Sequence, residues 1–495
     1  MTNSPSCVSA IFQTSGRSSV SVLLQVLGCW LVAVSPLLAQ VRPVAIQEAT
    51  ILTGDGKTIE RGTVVFQGGK ISAVGREVKA SLMAKNIQAA GKYVTPGLID
   101  AHSTLALRFA PAGDQATAKA VDGFDRYAED EIQAALREGV TAIYVPCRSA
   151  SGIGGLGAVI RLQPRPGDDW EELVLSDEAA LCAMVGAQGG QGPLARVEAA
   201  EALRQRFRAA KEYRQAWEDY EEELEEYEKK LAERAKKKAE EEKKSPSKKD
   251  AGGKKNAPSR DQRKSDQDKP RKKDEKKDEK KEEKKDEKKE ELKKPTEPKK
   301  DRNAEVLLRV IDGELRLRVE AHLPADILNV LQIAEEFNAA LILEGATGAH
   351  LVADRLAELE VPVVLSAPPA PVVYVPGAGR HTRPDAAAIL REAGVDVYFG
   401  SGVLSSPTAA PQLALRVARA VGHGFDADAA LETITFKAAG LLGVEKEIGR
   451  VKRGLRADLV IWSDHPFAPG ATVERAFVGG REVYHADSDK EGRDE

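Results

Sequence analysis

The sequence predicts an α/β chain with a (β/α)8 barrel at its centre and two ends that pair into a small β-sandwich. Three observations predict it. From Leu98 to Leu442, short apolar strands alternate with helical segments, and continuous Val/Ile/Leu strands alternating with helices mean a buried parallel sheet. About eight such units can be counted, which favours a closed barrel over an open sheet. The flanks, residues 44–92 and those after Leu442, carry turn signals and short alternating runs, the texture of half-buried antiparallel strands.

Taken in order, residues 1–40 read as an export signal. Arg17 precedes an apolar run over residues 20–40 that ends at the small residue Ala39. Pro36 and the abrupt end at Ala39-Gln40 favour cleavage; the competing reading is an uncleaved anchor, since the run is near spanning length. The expectation is a periplasmic or extracellular chain with no stable membrane insertion after cleavage. Cys7 and Cys29 would leave with the signal, and a disulfide between the remaining Cys147 and Cys182 is permitted there but not implied by spacing.

Residues 41–95 form the first part of the sandwich, with turns at residues 53–56 (TGDG) and 67–69 (QGG). The barrel is expected over 96–446. Its strands are the run from Leu98, then 140–146, 157–162, 172–175, 315–321, 339–345, 361–366 and 395–401; its helices lie near 126–139, 324–336, 350–359, 385–393 and 411–421. Residues 447–485 supply the second part of the sandwich, and 486–495 a disordered tail.

An insertion over 194–302 interrupts the barrel. Ala210, Tyr213, Trp217, Tyr220, Leu224, Tyr227 and Leu231 recur at spacings of three and four, a coiled-coil-like stripe. Two readings stand: a helix for homo-oligomerisation or a partner, and a helix folded back on the barrel wall. The Lys/Glu-rich stretch that follows has almost no apolar residues to offset its chain entropy and is expected to be disordered or a solvated single helix.

The 73 basic and 77 acidic residues nearly cancel to a net charge of −4, which gives no reason to expect nucleic acid as a partner. The partner expected is a small-molecule or peptide-like substrate. The Gly-rich run at 152–162 does not open a helix after a strand and is not read as a phosphate loop.

The chemistry is concentrated at strand ends. The stretch VTPGLIDAHSTLAL, residues 94–107, is a Pro-Gly turn and a buried strand with His102 at its carboxyl end, the end at which barrel enzymes place their reactive groups. A second His two residues on would share its face; that place holds Thr104.

Together with EATILTGDGKTIERGTVVFQGGKISAVG before it and TFKAAGLLGVEKEIGRVKRGLRADLVIWSDHP near the end, this stretch resembles the amidohydrolase superfamily, most closely its imidazolonepropionase-like exported members. The resemblance implies a distorted TIM barrel beside a small sandwich built from both chain ends. It also implies one or two divalent metals that activate water for attack on an amide or ring C–N bond; Zn, Mn or Mg would fit an oxygen-rich ligand set such as this chain offers. The family's ligands are a His-x-His on the first strand, one His each at the ends of the fifth and sixth, and an Asp, also the proton shuttle, at the end of the eighth. Position by position, His102 matches the first His. Thr104, Glu320, Glu344 and Gly402 stand at the other four places, and His322 follows two residues after Glu320.

Two explanations stay open. In one, the site is rebuilt: His102, Glu320, Glu344 and His322 hold one cation, with Glu320 or Glu344 as general base. In the other, no metal is bound, catalysis is lost and the barrel is a binding or scaffold module, with the carboxylates paired to Arg316, Arg318 or other residues of the mouth because buried carboxylates need partners. His381 and Arg383, in the loop after the seventh strand, are the candidate substrate contacts.

Overall fold

The computed structural model describes residues 42–108, 115–149, 152–165, 167–186, 193–244, 292–366, 378–402 and 410–487. The export-signal segment and most of the Lys/Glu-rich stretch lie outside them. The chain divides into two compact units, residues 1–207 with 305–495, and residues 208–304.

In the first unit, both chain ends join one sheet. From the amino-terminal side come β1 (Val44–Leu52), β2 (Thr58–Gln67), β3 (Lys70–Gly75), β4 (Lys85–Gln88) and β5 (Tyr93–Pro96). The barrel strands are β6 (Leu98–Asp100), β7 (Val140–Val145), β8 (Gly152–Arg161), β9 (Val174–Met184), β10 (Leu317–Ala321), β11 (Leu341–Gly345), β12 (Val363–Ser366) and β13 (Val397–Gly400). After them β14 (Leu459–Trp462), β15 (Val473–Val478) and β16 (Arg481–His485) return to the first sheet. That sheet runs β16-β15-β14-β5-β1-β2-β3, with β4 parallel to β1. The expected sandwich is thus one continuous hydrogen-bonded sheet. It curls until Phe66 on β2 packs edge-on against Phe477 on β15, ring centroids 5.4 Å apart, around a core shared by Ile46, Val94, Leu459 and Ile461.

The helices are α1 (Glu129–Arg137), α2 (Trp170–Leu173), α3 (Pro193–Lys244), α4 (Arg302–Ile311), α5 (Pro324–Phe337), α6 (Ala353–Glu358), α7 (Ala386–Glu392), α8 (Leu413–Gly422), α9 (Ala427–Ala430) and α10 (Phe436–Leu441). Local chemistry sets their ends where it is strongest. Pro324 opens α5, where a missing N–H costs nothing, and Asn338 closes it in the left-handed conformation, φ 53°.

The second sheet has eight strands in the order β6 to β13. A parallel bridge between Ser103 and Gly402, with Gly402 N donating to His102 O at 2.8 Å, joins its ends into a nearly closed barrel. One expectation fails: β8 is antiparallel to both β7 and β9. Only residues 146–151 separate β7 from β8, too few for the crossover that a parallel pair needs. The weak strand expected at 172–175 is also displaced. Residues 170–173 are α2, and the fourth strand is the longer β9.

The barrel and the curled sheet are joined by a buried ion pair: Arg161 on β8 donates from Nε and Nη2 to the two oxygens of Asp458, at 2.8 and 2.7 Å. Helix α3 begins in the first unit, where Phe207 stacks on Phe337 of α5 at 5.1 Å and Arg204 pairs with Glu336 at 2.7 Å. In the second unit, Tyr213, Trp217 and Tyr220 follow one another edge to face along the helix, the stripe that the spacing marks, and Leu231 is exposed. Among the described residues no helix is long and apolar enough to cross a membrane.

Candidate functional site

The carboxyl ends of β6, β7, β10 and β11 bring the charged residues together. Alternation on β10 turns Arg318 and Glu320 to one face, and parallel register sets Glu320 opposite Glu344 on β11. That face is the barrel interior: Ile342, Val364 and Tyr398, from β11, β12 and β13, share one cluster there with Ala101, just after β6, and Leu441.

Arg318 is the largest fully buried side chain among the described residues, with 1% of its surface exposed. Its Nε donates to Glu344 Oε1 at 2.5 Å and its Nη2 to the Ala101 carbonyl at 2.6 Å. The guanidinium carbon lies 3.6 Å from the centroid of the Tyr144 ring, a cation–π contact. Tyr144 has room because residue 157 is glycine, whose Cβ would otherwise come within 2.1 Å of the tyrosine oxygen; the Gly-rich run therefore serves packing. The other Glu344 oxygen is 3.1 Å from His102 Nδ1. Burial pushes the Glu344 carboxyl up, but Arg318 and His102 outweigh it and hold it below its usual value.

Glu320 belongs to a second group. Arg148, just beyond β7, approaches its oxygens to 2.9 and 3.2 Å, and His322 Nε2 is 3.2 Å away. The other ring nitrogen of His322 meets Thr347 Oγ1 at 2.8 Å. Its ring fits because residue 345 is glycine at φ +74°, where a Cβ would lie 2.6 Å from it. Burial again opposes ionisation, but Arg148, His322 and His102 dominate, and the carboxyl is held at about 2.

Gly402 and Thr104, the positions at which the resemblance leads one to expect the shuttle Asp and the second His, adjoin: Thr104 N donates to Gly402 O at 3.3 Å. Asp100, below them, accepts from Ser401 N at 2.9 Å and His102 N at 3.2 Å, and burial raises its pKa.

This geometry tests the metal expectation. A divalent cation needs several lone pairs aimed at one point. His102, Glu320, Glu344 and His322 do converge, but as two pairs, His102 with Glu344 and His322 with Glu320, each closed by a guanidinium. Among the described residues no three His, Cys, Asp or Glu side chains form a group that could hold a metal ion. The buried charge of Arg318 would repel a cation placed beside it. The residues present do not fit a divalent metal; they fit two arginines. Nor does Glu320 suit a general base, since a carboxyl held at about 2 takes up no proton near neutral pH.

Of the arginines weighed as partners, Arg318 pairs with Glu344, whereas Arg316 donates to the Leu441 carbonyl at 3.3 Å. Arg148 and Tyr144 have no signal in the sequence, because strand register alone brings them here. The expected substrate contacts lie to one side. Arg383 lines a cavity of about 390 Å³ near the same ends of β11 and β12, bound to Asp385 at 2.6 and 2.8 Å, and His381 ends a short 3-10 turn at Ala378–His381. His350, nearby, has its pKa lowered by burial and by Arg383 and His381. Cys147 and Cys182 are buried free thiols; burial pushes them to about 11 and 12, and Cys182 Sγ lies 3.1 Å from the Tyr144 hydroxyl.

Comparison with known proteins gives the same architecture. Residues 307–483 match the model of the Amidohydrolase family. The crystal structure of an amidohydrolase from Thermotoga maritima MSB8 superposes with a TM-score of 0.62 at 24% identity, over 89% of this chain and 100% of that one. Amidohydrolase tasK of Hapsidospora irregularis is 31% identical over 71 residues, which are 14% of this chain and 7% of that protein. The chain thus spans less than a tenth of the length of that curated relative.

Proposed function

We propose, from the premise that the chain belongs to the amidohydrolase superfamily of hydrolases, that this member binds a small ligand at its barrel mouth without metal-activated hydrolysis. The observation that carries the reading is the Arg318 guanidinium, bound to Glu344 in the barrel interior. A permanently charged group there neutralises one carboxylate, and Arg148 neutralises the other. The place of the shuttle Asp is taken by Gly402. An exported location is part of the proposal and rests on the apolar run over 20–40 and its end at Ala39.

The rival reading is hydrolysis of a non-peptide C–N bond, as in the imidazolonepropionase-like members. It is favoured by the family match, which includes the strands bearing Glu320 and Glu344. One experiment separates the two. The protein is produced in medium supplemented with Mn²⁺ or Zn²⁺, purified, and its metal measured by inductively coupled plasma mass spectrometry beside an assay of imidazolonepropionate and cyclic amide hydrolysis. Substoichiometric metal and no turnover are expected. A stoichiometric divalent ion with turnover that chelation removes would overturn the proposal.

A further inference from the structure

Unlike the barrel interior, the cavity of about 390 Å³ is lined by cationic side chains and, among the described residues, by no carboxylate. It lies between the carboxyl ends of β11 and β12, Phe399 of β13, and helices α7 and α8. Arg416, Arg419 and His423 line it at intervals of three and four along α8 and its end, which puts them on one helical face. Among the described residues, no carboxylate pairs with Arg416 or Arg419. The Arg416 side chain has one protein partner, the Pro411 carbonyl, to which Nε donates at 3.2 Å.

Helix electrostatics explain Arg419, which sits in the last turn, where a cation meets the negative end of the dipole. They do not explain Arg416. It sits in the first turn, beside the positive end, half-buried and next to a like charge. Burial lowers its pKa, and the charges acting on it are Asp100, favourably, and Arg419, unfavourably. Arg383, also in the lining, is taken by Asp385. The rest of the lining is largely apolar and includes Leu365, Pro384 and Phe399.

We propose that this cavity binds a small organic carboxylate with an apolar body, the carboxylate held by Arg416 and Arg419 and the body resting on Leu365, Pro384 and Phe399. The planar fork of an arginine matches a carboxylate with two parallel hydrogen bonds. The volume lies at the small end of ligand pockets and suits a molecule of amino-acid to dipeptide size. The proposal rests on the binding reading above, whose ligand class it names, and its test reads binding rather than metal content.

The test is isothermal titration of the full-length protein with N-acetyl-L-phenylalanine, its uncharged amide, and inorganic phosphate. The acid is expected to bind at least about tenfold more tightly than the amide, and phosphate not to compete. Arg416→Gln should weaken the acid by about tenfold or more. Arg419→Gln, on an exposed side chain that cannot threaten folding, should weaken it by a smaller factor, and both variants should keep the wild-type urea midpoint. Equal binding of acid and amide, no binding of either, full competition by phosphate, or unchanged affinity in both variants would each overturn the proposal. If the acid binds and the protein also proves to be a metal-dependent hydrolase, this inference survives and the functional reading above does not.

Discussion

The barrel interior and the cavity beside α8 use the same residue type in opposite ways. Inside the barrel, Arg318 and Arg148 each meet a carboxylate, Glu344 and Glu320. In the cavity, Arg416 and Arg419 line an open space and meet no carboxylate among the described residues. A buried charge must be compensated wherever it lies. Compensation from within the chain makes a scaffold, and compensation left to a ligand makes a site.

The comparison is broken most directly at Arg318. Arg318→Ala leaves Glu344 buried and short of its cation, and losing one partner of a buried pair costs about 3–5 kcal/mol; urea denaturation of the purified variant reads it. A loss below about 1 kcal/mol would mean that the pair does not hold the interior together. Replacing both partners, Arg318→Leu with Glu344→Leu, should cost less than the single change, because no unpaired charge remains. A double variant as damaged as the single one would place the cost in packing.

A sharper contrast comes from pH. The folded pKa of Glu320 is about 2, below the value of about 4.3 for an unfolded chain. The unfolded state therefore binds the proton more readily. Ionised Glu320 contributes its full stability above the unfolded value and loses it as pH falls toward 2. The stability advantage of the wild type over Glu320→Gln should shrink steadily between about pH 4.5 and 2; an advantage that grows on acidification would show that Arg148 and His322 do not favour the charged form. The smallest effect belongs to the open region. Arg419→Gln should change stability by no more than about 0.5 kcal/mol, as for surface changes that break no pair, and a larger loss would reveal an internal partner for Arg419.

Much of this arrangement was legible in the sequence, for reasons that differ from element to element. Strands such as 361–366 and 395–401 could be recognised because a strand covered on both faces has to be apolar throughout. Helix α5 was expected near 324–336 and runs from Pro324 to Phe337. The orientation of β8 was not legible, because its apolar run suits a parallel or an antiparallel neighbour equally and only the short link before it decides. At the site, Thr104, Glu320, Glu344 and Gly402 could be singled out as strand-end residues from the sequence. What neutralises the carboxylates could only be narrowed to a choice. Arg318 was one of two nearby arginines, and Arg148, distant in sequence, was not distinguished from any other arginine.

The sequence by itself determined the α/β class, the return of both ends of the chain to one sheet beside the barrel, and the residue types that stand at the barrel's strand ends. Those properties depend on residue identity and local periodicity, both written along the chain. Tertiary structure alone decided that His102, Glu320, Glu344 and His322 fall into two pairs rather than one metal-holding group. It also decided that Arg318 lies over Tyr144 at the centre, and that Arg416 and Arg419 line an open cavity. The physical reason is range: charge compensation acts over a few ångströms in space, between residues that the fold brings together from 26 positions apart in the chain, for Arg318 and Glu344, to 172, for Arg148 and Glu320.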